Sequence, residues 1–470
     1  MTVSLKKKKI IITIGRATIA RNLLQNAFFQ ELKANYQVVI LSPAAKEKIF
    51  LETFAGEGVS FVELKEISHS WVDRIFVAFH RYLLFDKFMA LKIRYGIRGV
   101  SRPEEASFWR YLIYSAVFIP LSKIGWLKKV VRWFDYHCAQ RGMVRQLQQF
   151  LQQERIDIVF ATSVFSNIET ALVKAARKNR LPVAGMVKSW DTPSKMNIRI
   201  VPDILIVWSQ FMVDQFVKLQ HISSDRLRVV GVPQFDDYAD KSFQWSRDRF
   251  CQEYGLDAKR KIILYTSAGK GVPEDATIVS LIIEGMKSGV IEGEVQLLIR
   301  PHFKYRNDNA KFKLFARVPF VAIDARGSGE SLSSFRDEMN LNREHTERLI
   351  NTLYHSDMVV NVASTITLDA AVFGKPSVHP MLREAIGNKA PGDSYLMFYE
   401  SDYVKALQAT GANELARSKT ELYQAINYCL KNPQARVAER QVMLERFCYR
   451  IDGESGRRLV QVLIDFTNQQ

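Results

Sequence analysis

Ser356-Asp357-Met358-Val359-Val360-Asn361-Val362-Ala363-Ser364-Thr365-Ile366-Thr367-Leu368-Asp369-Ala370-Ala371-Val372-Phe373-Gly374-Lys375-Pro376-Ser377-Val378 reads as a strand, a hydroxyl-bearing turn, a short helix and a glycine stop before a second strand. The apolar run Met358 to Val362 suits a strand covered on both faces. Ser364 and Thr365 fall where the helix begins, and there unpaired N–H groups and a partial positive charge favour a phosphate. Asp369 lies about one turn further, where a carboxylate reaches ribose hydroxyls. The plainer reading, that Ser364 or Thr365 only caps the helix, stays open at this point.

The same grammar runs through the chain. Strands are expected at Lys9 to Gly15, Gln37 to Leu41, Val59 to Glu63, Asp157 to Thr162, Pro182 to Val187, Asp203 to Trp208 and Leu227 to Val232. Helices are expected over Ala17 to Ala34, Val164 to Lys178 and Gln210 to Leu219. The composition shifts at Gln234 to Ser246, and the pattern restarts with strands at Lys261 to Thr266, Val295 to Arg300, Phe320 to Ile323, Met358 to Val362 and Pro376 to Val378. Four helical segments are expected after Ser401. Strands alternating with helices predict an α/β protein with two doubly wound, Rossmann-like domains facing a cleft. We place them at residues 1–235 and 245–470, with ligands beyond the carboxyl ends of the strands.

Composition narrows the chemistry. The 470 residues carry 66 Lys and Arg against 49 Asp and Glu, a formal charge of +17. Such an excess favours nucleic acid, anionic membrane or phosphorylated substrates as partners. The four cysteines form no CxxC pair, which fits a reducing compartment and, with no HExxH, argues against zinc. Ile10 to Gly15 is too short for a secretory core, and no run approaches the roughly 18 apolar residues of a spanning helix. A cytoplasmic location is expected.

One segment departs from the pattern. Between His69 and Phe134 there are 12 Lys or Arg against four Asp or Glu, with 15 aromatics that include four of the seven Trp. We expect a helical insertion over about 68–150. Tyr111 to Ser122 is uncharged, a length that fits a membrane interface without crossing it. The competing reading is a helical subdomain whose aromatics form its core.

Candidate chemistry sits in loops at strand ends. Gly15-Arg16 and Thr162-Ser163 follow two early strands; Lys188-Ser189-Trp190-Asp191-Thr192-Pro193-Ser194-Lys195 puts a carboxylate among hydroxyls and ammonium groups. Asp191 is a base or an ion-pair partner. Thr266-Ser267-Ala268-Gly269-Lys270-Gly271 is not a phosphate loop of the Walker type, because Leu264 and Gly271 stand where Gly and Ser or Thr are required. Arg300-Pro301-His302-Phe303-Lys304 supplies cations suited to a diphosphate. No Asp has another Asp two residues on, so the metal-binding DxD pair of single-domain glycosyltransferases is missing.

Ser189 to Lys195, Val201 to Trp208 and Arg226 to Asp236, followed by Arg300-Pro301-His302 and by Ala363-Ser364-Thr365 through Pro376, resemble in this order a bacterial group of surface-polysaccharide transferases of the two-Rossmann GT-B fold, akin to CDP-glycerol glycerophosphotransferases. The resemblance spans Asp157 to Val378. It implies a nucleotide-activated donor held by the C-terminal domain and a glycan or lipid-linked acceptor from the N-terminal side. By resemblance His302, Ser364 and Thr365 contact the diphosphate; Arg300, Thr266 and Ser267 at strand ends and Asp369 one helical turn on are added to the donor site by their positions. The group's Trp-His-Gly-Thr-Pro element reads Trp190-Asp191-Thr192-Pro193 here, lacking the His and Gly, and Phe303 replaces a Pro. These departures point from glycerol phosphate transfer to sugar transfer with Asp191 as base.

The expectation is a metal-independent glycosyltransferase with a nucleotide sugar as substrate and no cofactor. It is peripheral at the inner face of the plasma membrane, binding its anionic surface and no nucleic acid. The alternatives are a polyol-phosphate transferase, an enzyme like UDP-N-acetylglucosamine 2-epimerase, and a non-catalytic nucleic-acid-binding or scaffold protein. The epimerase reading expects Ser-Gly-Gly and paired Glu, where this chain has Ser364-Thr365-Ile366 and a lone Asp369.

Overall fold

A computed structural model describes residues 7–64, 70–96, 107–302, 308–324, 343–362 and 364–469. Its first sheet is built from β1 (Lys9–Thr13), β2 (Gln37–Ser42), β3 (Val59–Glu63), β4 (Ile158–Ala161), β5 (Val183–Met186), β6 (Ile204–Val207) and β7 (Leu227–Val229). The second contains β8 (Lys261–Thr266), β9 (Val295–Arg300), β10 (Val321–Ile323), β11 (Met358–Asn361), β12 (Ser377–Pro380) and β13 (Glu414–Ala416). The orders are β3-β2-β1-β4-β5-β6-β7 and β10-β9-β8-β11-β12-β13, with every pairing parallel. Each order reverses once, between β1 and β4 and between β8 and β11. The crevice at such a reversal is where doubly wound sheets take ligands.

The strands form where the chain is apolar without alternation, because helices cover both faces. Ile10, Ile11 and Ile12 are fully buried, as are Val159 and Phe160 beside them. The twelve expected strands are all present. β13 was not anticipated: its three residues, Glu414–Ala416, are too few to carry a pattern. The single helix expected over Ala17 to Ala34 is two, Ala17–Leu24 and Ala27–Asn35. Asn26 breaks it, its side chain accepting from the Phe28 N–H and donating to the Pro233 carbonyl at 3.0 Å.

Between β7 and β8 the chain runs as short helical turns, Pro233–Phe235, Asp236–Ala239 and Lys241–Phe243. The last two helices, Val437–Cys448 and Ser455–Asn468, return to the core of the first sheet, burying Phe447 and Leu463 there. The Asp236 carboxylate accepts from the N–H groups of Ser455 (3.0 Å) and Gly456 (2.7 Å) at the start of the final helix. A Cβ on Gly456 would stand 2.8 Å from the Phe28 nitrogen, so only glycine allows this approach.

The expected insertion is helical: Trp71–Tyr82, Lys87–Tyr95, Phe108–Ser122, Gly125–Cys138 and Arg141–Gln153. It is fastened by a buried ion cluster. Asp135, fully buried, takes Lys174 at 2.6 Å and Arg199 at 2.7 Å, with His80 Nε2 3.1 Å away. Burial alone would raise the Asp135 carboxyl, but His80, Arg199 and Lys174 outweigh it and hold it well below the usual carboxylate range. Arg132 adds bonds to the Ile198 and Gln220 carbonyls. Thus the insertion is keyed to the segment that follows β5. Among the described residues no helix is long and apolar enough to cross a membrane.

Candidate active site

The loops after β8, β9 and β11 are neighbours because those strands are neighbours. This places Thr266, Ser267, Arg300, His302, Ser364, Thr365 and Asp369 around one cavity of about 330 Å³. The facing wall brings Arg21 from the helix after β1, Lys188 and Ser189 from after β5, and Asp237 and Tyr238 from the connection between the sheets. His345 closes it from the helix Arg343–His355. The volume is at the lower end of small-molecule sites.

Side chains close in sequence play different parts. Thr266 Oγ1 is buried with no hydrogen-bond partner among the described residues. The Ser267 hydroxyl is committed: it donates to Asp275 at 2.7 Å and accepts from the Gly269 N–H at 3.0 Å. Thr365 makes no side-chain cap to its helix; its hydroxyl instead lies 3.4 Å from the Trp190 indole N–H, which donates to it across the cleft. For Thr365, then, the capping reading does not hold. Trp190 is itself wedged against Tyr403 and Phe447.

Arg300 is nearly buried and pairs with Asp324, which also receives Arg348 at 3.2 Å. The His302 main-chain N–H donates to Asp308 at 2.7 Å, fixing the backbone beneath its half-buried ring. Phe303 and Lys304 lie outside the described residues.

The carboxyls of the cavity are poised near neutrality. Burial pushes Asp237 up to about 7, with Asp236 and Asp240 adding to it and Arg343 and Arg21 opposing. Burial likewise raises Asp369 to about 6, against the Tyr238 hydroxyl that donates to it. His345 goes the other way: burial and then the charges of Arg21, Arg300 and Arg348 push it well below its ordinary value, leaving a neutral imidazole. Asp191 does not line this cavity. Its carboxylate is held by Lys195, one helical turn on, whose ammonium also sits 5.1 Å over the Tyr403 ring.

Sequence reasoning missed Arg21 and His345, and it read Asp237 and Tyr238 only as a change of composition. Asp236-Asp237 between Phe235 and Tyr238 was the available signal: paired carboxylates flanked by aromatics at the crossing between two sheets. Nothing local marks Arg21 or His345. Among the described residues no group of three or more His, Cys, Asp or Glu is placed to hold a metal ion.

No protein-family model and no curated protein matches the sequence. Solved structures do match. A UDP-N-acetylglucosamine 2-epimerase superposes with a TM-score of 0.55 at 14% identity, over 99% of this chain and 98% of its own. The UDP-GlcNAc 2-epimerase of Neisseria meningitidis, bound to UDP-GlcNAc, gives 0.55 at 12% identity over 97% of this chain and 100% of its own. A glycosyltransferase from Rickettsia africae gives 0.54 at 10% identity over 99% and 100%. These likenesses show the fold, which is of the two-Rossmann GT-B type.

Proposed function

We propose that the protein is a glycosyltransferase that moves a sugar from a nucleotide-activated donor to a cell-surface glycan or lipid-linked acceptor. The observation that carries this reading is the cavity where the order of the second sheet reverses. It gathers the guanidiniums of Arg21 and Arg300, the His302 ring and Lys188 beside the unpartnered Thr266 hydroxyl. The fold neighbours include an epimerase bound to UDP-GlcNAc and a glycosyltransferase, which supports a nucleotide sugar in this one.

In the proposed reaction an acceptor hydroxyl forms a bond to the anomeric carbon as the bond from that carbon to the diphosphate oxygen breaks. Negative charge grows on the departing diphosphate, where Arg300, Arg21 and His302 are placed to neutralise it. The acceptor's proton needs a carboxylate. Asp237, inside the cavity and near neutrality, is placed for that role, whereas Asp191 is tied to Lys195 outside it. The acceptor enters from the first sheet's side, on the cytoplasmic face of the membrane.

A second reading has one observation in its favour. Asp237 and Asp369 in one cavity, both raised towards neutrality, form the acid and base an epimerase requires. Thermal-shift screening against nucleoside diphosphates and nucleotide sugars tests the donor site, because a bound ligand raises apparent stability by mass action. The donor found is then incubated with and without acceptor and the products weighed and separated. Transfer to acceptor supports the first reading, and a new epimer from donor alone supports the second. No stabilisation by any nucleotide overturns both. Salt-sensitive retention on DNA would then make the +17 charge a nucleic-acid device.

A further inference from the structure

The four tryptophans of the insertion are all more than half exposed: Trp71 73%, Trp109 71%, Trp126 66% and Trp133 58%. The other three in the chain, Trp190, Trp208 and Trp245, are buried. The reading of the insertion's aromatics as an ordinary core therefore fails at its largest side chains.

Their placement is regular. Trp71, Ile75 and Phe79 are exposed at i, i+4 and i+8 of the first insertion helix. Trp126, Val130, Trp133 and Phe134 make the same stripe on Gly125–Cys138. Between them Phe108–Ser122, the most apolar of the described helices by composition, has no buried residue along its 15 positions. Phe79 meets Phe118 at 6.4 Å and Tyr82 meets Tyr114 at 4.9 Å, and the first helix also packs on Gly125–Cys138. The two stripes and the exposed helix between them belong to one ledge. Soluble proteins seldom leave so large an apolar face uncovered.

Among the described residues of these helices the exposed charges have one sign. Arg74, Arg81, Arg110, Lys123 and Lys129 are exposed. The carboxylates of the same described helices are withdrawn: Asp73 and Asp135 are buried, and Asp86 caps its helix at the Met89 N–H.

We infer that this ledge is a membrane-docking surface that lies in the headgroup region of an anionic leaflet. Three observations select that occupant. A second copy of the chain would bring five like charges against five, with no exposed carboxylate among the described residues of the ledge helices to answer them. A spanning role is excluded by length, since 15 residues rise about 22 Å against a hydrocarbon core of roughly 30 Å. Indoles with a cationic rim are what an anionic interface accepts. The ledge is also fastened to both halves of the protein. Arg132 and the Asp135 cluster clamp it to residues 197–199, and Lys87 reaches Glu400 of the other half at 2.8 Å. An acceptor held in that leaflet would thus be brought to the same body that carries the cavity. This deepens the transferase reading and rests on it only for the identity of the acceptor.

The test is flotation of the full-length protein with phosphatidylcholine vesicles and with vesicles containing phosphatidylglycerol, at low and high salt. Binding to the anionic vesicles is expected, weakened but not abolished by salt. Trp71→Ser, Trp109→Ser and Trp126→Ser together should remove the salt-resistant part; as exposed positions they leave the fold intact. Arg110→Gln, Lys123→Gln and Lys129→Gln together should weaken anionic-vesicle binding by about a hundredfold. Protein that stays unbound with both vesicles overturns the inference. So does a dimer in light scattering that the Trp substitutions dissociate. Nucleotide-induced stabilisation is measured on the same preparations. Nucleotide binding without vesicle binding defeats the docking surface alone, and vesicle binding without nucleotide binding defeats the transferase reading alone.

Discussion

Arg300 serves two partners in this structure, and separating them tests the donor site. Its guanidinium lines the cavity and also pairs with the buried Asp324, which Arg348 holds from the other oxygen at 3.2 Å. Arg300→Ala should therefore cost twice. A charge-assisted hydrogen bond to a diphosphate is worth on the order of 1.5–3 kcal/mol, so nucleotide affinity should fall roughly tenfold to a hundredfold. Stripping one partner from a buried carboxylate costs about 3–5 kcal/mol, and the lower end applies because Arg348 remains. His302→Ala should show the first loss without the second, since the backbone there is fixed by the N–H to Asp308 and not by the ring.

The discriminating variant is Arg300→Ala combined with Asp324→Asn, which removes the carboxylate left with Arg348 as its one remaining cation, while Arg348 keeps Glu253 at 2.8 Å. Stability should recover in thermal denaturation while nucleotide affinity, read by isothermal titration, stays low. If affinity recovers along with stability, Arg300 acts only through Asp324 and is no diphosphate ligand. If neither Arg300→Ala nor His302→Ala weakens any nucleoside diphosphate, the site is assigned to the wrong ligand.

Other consequences follow from the buried charges. Nucleotide affinity should fall as pH rises from about 6 to about 7, because burial keeps Asp369 and Asp237 protonated below those values and each becomes an anion beside the diphosphate above them; Asp237→Asn should flatten that profile in titrations at constant ionic strength. Glu169, buried beneath the β1–β4 reversal, is raised by burial to about 7 against donors that include Thr13 and Ser166. Its folded value lies above its unfolded one, so its contribution is complete below about 4.5 and is lost as pH rises through about 7. Chemical denaturation across that window should show Glu169→Gln less pH-dependent than the parent. Asp135→Ala, which leaves Lys174 and Arg199 buried without their carboxylate, should destabilise by about 3–5 kcal/mol and make the insertion helices the first site of proteolysis. In the parent that contribution should fade only in acid, below the ordinary carboxyl range, because Asp135 is depressed.

The strands were legible because a parallel sheet covered on both faces needs continuous apolar runs, and Ile10-Ile11-Ile12 or Met358 to Val362 has few other uses. What stayed hidden depends on distant partners. The break at Asn26 is fixed by a carbonyl more than 200 residues away. The return of Phe447 and Leu463 to the first core leaves no local trace either, since an amphipathic helix does not say which sheet it covers. Composition recorded the aromatic excess of the insertion, but exposure is a tertiary fact. The same Trp content would serve a packed subdomain.

The candidate site divides along a similar line. Loops at the carboxyl ends of parallel strands are where such sheets bind, so Thr266, Arg300, His302 and Ser364 could be named from strand ends alone. Position on the chain did not decide which way each side chain turns. Thr266, at the cavity wall, keeps a buried hydroxyl with no hydrogen-bond partner among the described residues, while its neighbour Ser267 spends its own on Asp275 and Gly269. Asp191, sequence neighbour to the bridging Trp190, is captured by Lys195 because residues four apart on a helical turn meet. Asp237, which no strand end announces, is set into the cavity by the helical turns that join the sheets. A carboxylate with a cation one turn away is thus weak evidence for a base. One half-buried where two sheets meet, with Asp236 and Asp240 beside it against Arg343 and Arg21 and no hydrogen-bond donor to stabilise its anion among the described residues, is placed to exchange a proton near neutral pH.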